Sequence, residues 1–327
     1  MKEEKFLDKW DVALKAYGTP RDFASSTNYE RRIFTLDGKD YPLICAISRS
    51  EQKRELMKQQ KHYTPKRKIE EYGLRLNLED CFLCENIVQA VDSAYPISNI
   101  RNNLIFQSKR NFVMPNRYPI DTGHSLIVPR DHDNMIKRII PKTDEYGEKL
   151  YLPEKGKTRG AVITDDVLAE IFEISDENGF KSIRNHVLDG MSIPGHDHWH
   201  TFIANSPPFL LLESLLQNTE NTSFGNTIYK IKNTPFDTLL IRGGYGEKIV
   251  ATSTKIIKKM EESGIVFTLL YNGGRLLITP RRPIDRSITI GGGSSAHYFF
   301  KKDGSDVELA KKAIYLKGQF NWENFLN

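Results

Sequence analysis

The sequence predicts an α+β fold built on antiparallel strands, in two related halves that follow an N-terminal extension. Short apolar runs are separated by turn residues, as in strands joined by tight connections. A helix is predicted among the strands of the middle of the chain and another among those of the last third, so one order of elements occurs twice. We expect the extension over 1–75, the first half over 76–215 and the second over 216–327.

The composition is that of an ordinary globular protein and narrows the range of partners. The 327 residues, 39% of them hydrophobic, suffice for one large domain or two ordinary ones without disulfides. No segment approaches the ~20 apolar residues that cross a membrane, and the acidic start does not fit a secretory signal. The net charge of +5 is too small to demand nucleic acid. We therefore expect a cytoplasmic protein without membrane or nucleic-acid partners.

The N-terminal extension is predicted to contain one helix and one hairpin. Apolar residues at mixed spacing favour a helix over 1–17, which a Gly-Thr-Pro sequence ends. The runs 33–36 and 43–47 are expected to pair across a turn that contains Gly38. Polar and charged residues over 50–70 indicate an exposed helix followed by a linker.

The first half is predicted to place one helix among short strands. Thr164, followed by two aspartates, is a favourable N-cap, because its hydroxyl can accept a backbone N–H and the acids complement the helix dipole. We expect this helix over 167–177 and a polar loop over 137–159. The strands are expected over 103–107, 111–114, 124–128, 181–187 and 196–204.

The second half repeats this pattern without a recognisable sequence repeat. A strand is predicted over 238–241 and a helix over 248–260. The runs 265–270 and 275–279 flank an Asn-Gly-Gly sequence, which is a strong signal for a hairpin turn.

A run of alternating histidines is the most informative feature of the sequence. Three of the eight histidines of the chain are His196, His198 and His200. A strand alternates its side chains between two faces, so all three imidazoles are expected on the same face. Because a face with three imidazoles is not a hydrophobic core face, the pattern indicates a functional site.

Two kinds of chemistry fit this cluster. Three imidazoles can bind a catalytic metal, in which case metal removal would abolish the reaction. A neutral imidazole can also attack phosphorus, provided that neighbouring groups hold its tautomer and protonate the leaving oxygen. The flanking histidines, with the flexible backbone and hydroxyl of Gly190-Met191-Ser192, can supply such groups. We therefore favour a nucleophilic histidine.

The cysteines suggest zinc rather than disulfides. Their odd count of three argues against a disulfide framework, and Cys81 and Cys84 form a C-x-x-C pair. A redox dithiol would be followed by a thioredoxin-like βαβ pattern, which the sequence lacks. A tetrahedral zinc needs two further ligands, for which His132 and His196 are candidates.

Two blocks of this sequence resemble the histidine-triad superfamily, and especially its larger branch. That branch contains galactose-1-phosphate uridylyltransferase, diadenosine tetraphosphate phosphorylase and GDP-hexose phosphorylases. Block 116–132 (NRYPIDTGHSLIVPRDH) resembles the family's strand that ends in proline and histidine, and block 190–202 (GMSIPGHDHWHTF) resembles the triad strand. Cys81 and Cys84 resemble the zinc-binding pair of the uridylyltransferases. The resemblance covers residues 80–205 and only weakly the part from Arg242 to Arg282.

The resemblance implies a nucleotidyltransferase or phosphorylase with an antiparallel histidine-triad-like fold, in which only the first half carries the triad. His198 would attack the α-phosphorus of a nucleotide sugar or dinucleoside polyphosphate and hold the nucleotide covalently. Phosphate, a sugar phosphate or water would then accept the nucleotide, and a homodimer is common in the family. The implied residues are His198 and His200 for catalysis, Asn116, Asn185 and Ser192 for substrate, and Cys81, Cys84, His132 and His196 for structural zinc.

The chain departs from the family pattern within the triad itself. The uridylyltransferase branch has Gln where this chain has His200, which matches the smaller hydrolase branch. Asp197 stands where the smaller branch usually has an apolar residue, and Gly195 lengthens the approach to His196. A nucleotide-anhydride hydrolase is therefore an alternative, and a nucleotide-binding protein without catalysis is a further one.

Overall fold

The computed structural model describes somewhat more than half of the chain. The described residues are 3–16, 28–36, 38–48, 67–70, 73–76, 104–116, 119–129, 138–143, 149–153, 163–185, 197–203, 209–281, 298–300 and 320–327. Within 209–281 the residues that are not described are 210, 218, 222–223, 225–226, 233, 235, 244–245 and 264. The helices are α1 (Glu3–Ala16), α2 (Asp165–Glu177), α3 (Leu212–Gln217), α4 (Glu247–Glu262) and α5 (Trp322–Leu326). None of these described helices meets the length and apolarity that a membrane span requires.

The strands in the described part of the chain form three sheets. The first eleven are β1 (Asn28–Leu36), β2 (Lys39–Ser48), β3 (Arg67–Glu70), β4 (Gly73–Leu76), β5 (Phe106–Gln107), β6 (Asn111–Pro115), β7 (Ser125–Pro129), β8 (Arg138–Thr143), β9 (Lys149–Pro153), β10 (Lys181–Asn185) and β11 (Trp199–Phe202). The others are β12 (Thr219–Asn221), β13 (Ile228–Ile231), β14 (Leu239–Arg242), β15 (Val266–Asn272), β16 (Arg275–Arg281) and β17 (Tyr298–Phe300). The predicted α+β class with antiparallel strands is confirmed.

The largest sheet has ten antiparallel strands in the order β12-β13-β14-β16-β15-β10-β11-β7-β6-β5. Its two central strands, β10 and β15, pair with Ile183 opposite Leu270. Each half of the sheet contains five strands, which are β12-β13-β14-β16-β15 from one edge to the centre and β5-β6-β7-β11-β10 from the other. In both halves the strands follow chain order except that the last two are exchanged, and α2 precedes β10 as α4 precedes β15. The second set of five strands has no histidine on β16, the strand in the place of β11. The limits of the predicted domains remain predictions.

One face of this sheet is covered by α1, α2 and α4. The α1 side chains Phe6, Trp10, Ala13 and Leu14 recur at helical spacing and are buried in the same core as Trp199. The Trp10 indole N–H donates to the backbone oxygen of His124 at 3.1 Å. Thr164 caps helix α2 as predicted, because its hydroxyl accepts from the Val167 N–H, and the helix begins at Asp165, two residues before the predicted start. The N-terminal helix is therefore part of the main core.

The opposite face carries a second apolar cluster beneath α3. Ile183, Phe202 and Leu270 contribute from three adjacent strands, and Leu212 and Leu216 cover them from the helix. The side chains of β11 that point to this face are the even-numbered ones, because Phe202 belongs to this cluster and Trp199 to the other. This is the face that bears the candidate site.

A smaller four-stranded sheet, in the order β3-β4-β8-β9, differs from the sequence-based expectation. Residues 137–159 were expected to form a polar loop, but β8 and β9 pair within this range from Thr143 opposite Lys149. The expected linker likewise contains β3. The strands RIIPKT and KLYLP contain Ile, Leu and Tyr residues, which favour strands. The lysines and prolines between these residues led to the prediction of a loop.

Candidate active site

The central two positions of the candidate site are His198 and His200. Pairing of β11 begins at Trp199, so His198 lies one residue before the ladder and His200 lies within it, opposite Leu126 and Ile183. The ring centroids of His198 and His200 are 5.0 Å apart with an interplanar angle of 67°. His198 is only 1% exposed. The two imidazoles therefore form a compact pair on one face of the sheet.

A third histidine, from the neighbouring strand, completes the cluster. His124 Nε2 lies 3.0 Å from His200 Nδ1, and the Ile120 N–H donates to His124 Nδ1 at 3.1 Å. A ring nitrogen that accepts from an amide carries no proton, so the neutral His124 ring has its proton on Nε2. His124 Nε2–H then donates to His200 Nδ1. These contacts assign the His200 proton to Nε2.

The electrostatics keep His200 uncharged. Burial, together with a smaller contribution from the neighbouring His198, lowers the pKa of His200 to about 3. His200 therefore remains neutral at physiological pH and offers an N–H at Nε2 without bringing a positive charge. The Phe202 ring stacks on His124, with ring centroids 4.3 Å apart.

Two asparagines adjoin the histidines. The Asn116 amide nitrogen lies 3.2 Å from His124 Nε2 and 3.5 Å from His200 Nδ1, and only the second contact joins a donor to an acceptor in the assigned tautomers. Asn185 follows Arg184, the residue opposite Trp199, and so lies beside His198. Asn185 is 7% exposed, and its Oδ1 has no hydrogen-bond partner in the described part of the chain. A buried amide oxygen of this kind can accept a hydrogen bond from a donor group on a bound ligand.

An ion pair lies on the other face of the sheet, directly behind the histidines. Arg184 Nε donates to Asp197 Oδ1 at 2.7 Å, and the Arg184 side chain is 2% exposed. Arg184 Nη2 is also 4.0 Å from Glu261 Oε1 on α4. Burial raises the pKa of Glu261 to about 7, with Arg184 opposing the rise and Asp197 adding to it. Asp197, which precedes His198 in the chain, is thus bound to Arg184 on the helix-covered face of the sheet.

The structure brings together four of the predicted site residues and leaves five outside its described part. Asn116, Asn185, His198 and His200 lie in one cluster on the same face. Among the described residues no group of three or more His, Cys, Asp or Glu side chains is arranged to hold a metal. The predicted residues outside the described part are Ser192 and the zinc candidates Cys81, Cys84, His132 and His196.

Neither His124 nor Arg184 was predicted from the sequence as a site residue. His124 lies in the block that carries the family resemblance and has the same strand parity as Leu126, which pairs with His200. The parity of His124 could have placed it on the same face as His200, but only if the pairing of β7 with β11 had been known. Arg184 had no local signal, because it is one charged residue in a predicted strand.

Comparison with known proteins gives similarity at the level of structure alone. No protein-family model matches the sequence, and neither does any curated protein. Yeast Ap4A phosphorylase Apa2 in complex with AMP is similar over 96% of this chain and 92% of that chain, with 10% identity and a TM-score of 0.53. The chain has the fold of this phosphorylase. Apa2 in complex with Ap4A matches over 96% and 94%, with 11% identity and a TM-score of 0.51. At 10–11% identity this similarity shows the fold and assigns no role to individual residues.

Proposed function

We propose that the protein is a nucleotidyltransferase or phosphorylase that cleaves a nucleotide phosphoanhydride through a covalent nucleotidyl-histidine on His198. The observation that carries the proposal is the buried His198 beside a neutral His200 whose tautomer His124 sets. The fold shared with an Ap4A phosphorylase supports the same reaction class. The substrate would be a nucleotide sugar or a dinucleoside polyphosphate.

The proposed reaction has two displacements at one phosphorus. A ring nitrogen of His198 donates its lone pair to the α-phosphorus, and the bond to the bridging oxygen breaks with its electron pair on the leaving phosphate. His200 Nε2–H would donate a hydrogen bond to a phosphoryl oxygen as charge develops there. An incoming phosphate or sugar-phosphate oxygen then attacks the same phosphorus and breaks its bond to His198.

A hydrolase of the same superfamily is the second candidate. His200 favours it, because the transferase branch that the sequence resembles has Gln at this position. In this case water would accept the nucleotide from His198. The acceptor is therefore read from the form in which the nucleotide leaves His198. A nucleoside monophosphate indicates water, and a nucleoside diphosphate that contains isotope-labelled phosphate from solution indicates phosphate.

The covalent step is tested by intact-protein mass spectrometry. The wild-type protein is mixed with nucleotide sugars and dinucleoside polyphosphates without an acceptor other than water. We expect the protein mass to rise by one nucleoside monophosphate with the productive substrate. Turnover that requires a metal and gives no adduct under rapid quenching would instead support a metal-dependent hydrolase. Tight binding with neither adduct nor turnover would support a non-catalytic nucleotide-binding protein.

We also propose a structural zinc on Cys81, Cys84, His132 and His196, away from the chemical step. Two thiolates and two imidazoles are a donor set that tetrahedral zinc prefers. The bound zinc would tie the segment around Cys81 to the segment before His198. Metal analysis should find about one zinc per chain. Cys81→Ser should lower both the zinc content and the Tm, because structural zinc contributes directly to folding. Unchanged zinc content would exclude Cys81 as a ligand.

A further inference from the structure

The ion pair between Arg184 and Asp197 joins the histidine segment to the helix-covered face of the sheet. Asp197 immediately precedes His198, and its carboxylate lies 2.7 Å from Arg184 Nε. The Asp197 side chain is 10% exposed and that of Arg184 is 2% exposed. Two adjacent residues thus point to opposite faces, with His198 towards the site and Asp197 towards the core.

The ion pair between Arg184 and Asp197 affects the site because of where His198 lies in the chain. Pairing of β11 with its neighbours on both sides begins at Trp199. The backbone of His198 is therefore outside the ladder that fixes the residues after it. The contact of Asp197 with Arg184 provides a fixed point on the other side of His198, since Arg184 belongs to the central strand β10. His198 lies between these two points of attachment.

Arg184 is itself held by the second half of the sheet. It pairs with Leu269 on β15, its guanidinium lies 5.9 Å from the centroid of the Phe267 ring, and Glu261 approaches it at 4.0 Å from α4. Burying such a pair costs solvation energy, and apolar residues of the same volume are often at least as stabilising. An ion pair at this place is therefore better explained by the geometry that it imposes than by stability.

We propose that Asp197, held by Arg184, is a positioning residue that orients the His198 imidazole for attack on phosphorus. This inference rests on the proposed function, in which His198 is the nucleophile. Glu261 extends the arrangement, so that a helix of the second half contributes to a site made by residues of the first. Asp197 touches no substrate in this account and acts through the backbone that it shares with His198.

The test compares variants that keep or lose the contact. Asp197→Asn keeps an oxygen that can accept from Arg184 Nε, and we expect kcat to stay within about 5-fold of wild type. Asp197→Leu loses the acceptor, and we expect kcat to fall about 10- to 100-fold with KM changed by less than about 3-fold. Tyr271→Phe is the matched control. It removes a hydroxyl that donates to Asp176 at 2.5 Å and accepts from the Gly274 N–H at 3.0 Å, in the same core and without touching β11.

A double variant separates positioning from stability. Asp197→Leu alone leaves a buried guanidinium with less compensation, whereas Arg184→Met with Asp197→Leu replaces the whole pair by apolar side chains. The double variant should regain the lost Tm at about pH 6, because Glu261, whose pKa of about 7 no longer has Arg184 to oppose its rise, is uncharged there. If the pair positions His198, kcat stays low in the double variant although the Tm recovers. Recovery of kcat together with the Tm, or an equal fall in Tyr271→Phe, would overturn the proposal.

A readout without substrate keeps this inference separate from the proposed function. The ¹⁵N signals of the His198 ring, recorded at one pH, should shift or double in Asp197→Leu and remain near the wild-type positions in Asp197→Asn. Shifted signals without any turnover in the wild-type protein would contradict the proposed function and leave the positioning contact supported. Unchanged signals in Asp197→Leu would overturn the positioning role.

Discussion

Replacement of His198 by alanine is expected to lower kcat/KM by about 10³-fold or more, because a nucleophile has no substitute in a covalent mechanism. Neutral His200 has its Nδ1 occupied by His124 and is directed elsewhere by that contact. It cannot take over the attack from the same place. The measurement is steady-state turnover of the substrate that gives the mass adduct, together with the adduct itself, which should be absent.

The fold should survive this substitution. His198 precedes the first pair of the β11 ladder, so its replacement leaves the strand pairing from Trp199 onwards intact. The loss of a buried ring should cost about 1–3 kcal/mol of unfolding free energy, which thermal unfolding can measure. Nucleotide affinity should change little, since the remaining contacts persist. Wild-type turnover in His198→Ala would exclude the covalent mechanism, and an unfolded variant would be replaced by His198→Gln.

The elements that were predicted well are those with local signals. Helix α2 begins after Thr164 because the N-cap is encoded within four residues. The β15–β16 hairpin turns at Gly273 and Gly274, both of which have positive φ (52° and 70°), as the two-residue turn requires. The histidine pair was predictable for the same reason, because strand alternation places His198 and His200 together without knowledge of the rest of the fold.

The remaining parts of the site depend on long-range pairing that local patterns do not encode. The contact between His124 and His200 joins residues 76 positions apart, and it exists because β7 pairs with β11. The Arg184–Asp197 pair requires both residues to face α4, on the side away from the histidines. Asp197 was identified from the sequence as a departure from the family pattern, but its partner became visible only in the structure.

Replacement of His124 by asparagine is expected to lower kcat about 10- to 100-fold, because it removes the donor that fixes the tautomer of His200. Asparagine can still accept from the Ile120 N–H through its shorter side chain, but it has no group at the position of Nε2. Only the longer 3.5 Å contact from Asn116 would then favour an unprotonated Nδ1 on His200. A larger fraction of His200 would carry its proton on Nδ1, which leaves Nε2 without a hydrogen for the phosphoryl oxygen.

The complementary variant His124→Gln places an amide N–H near the former Nε2 and should retain more activity than His124→Asn. Phe202→Leu is the control for packing, because it removes the aromatic ring stacked 4.3 Å from His124 without changing a donor. We expect kcat within about 3-fold of wild type for this control. Equal losses in His124→Asn, His124→Gln and Phe202→Leu would show that packing alone matters.

A double-mutant cycle with His200→Gln decides whether His124 acts through His200. The glutamine has no ring tautomer to fix, so His124→Asn should cost little further activity in the His200→Gln background. The two substitutions would then be strongly non-additive, as expected for residues that form one unit. Equal losses in both backgrounds would mean that His124 contacts the substrate itself, and the tautomer chain from Ile120 through His124 to His200 would not explain the reaction.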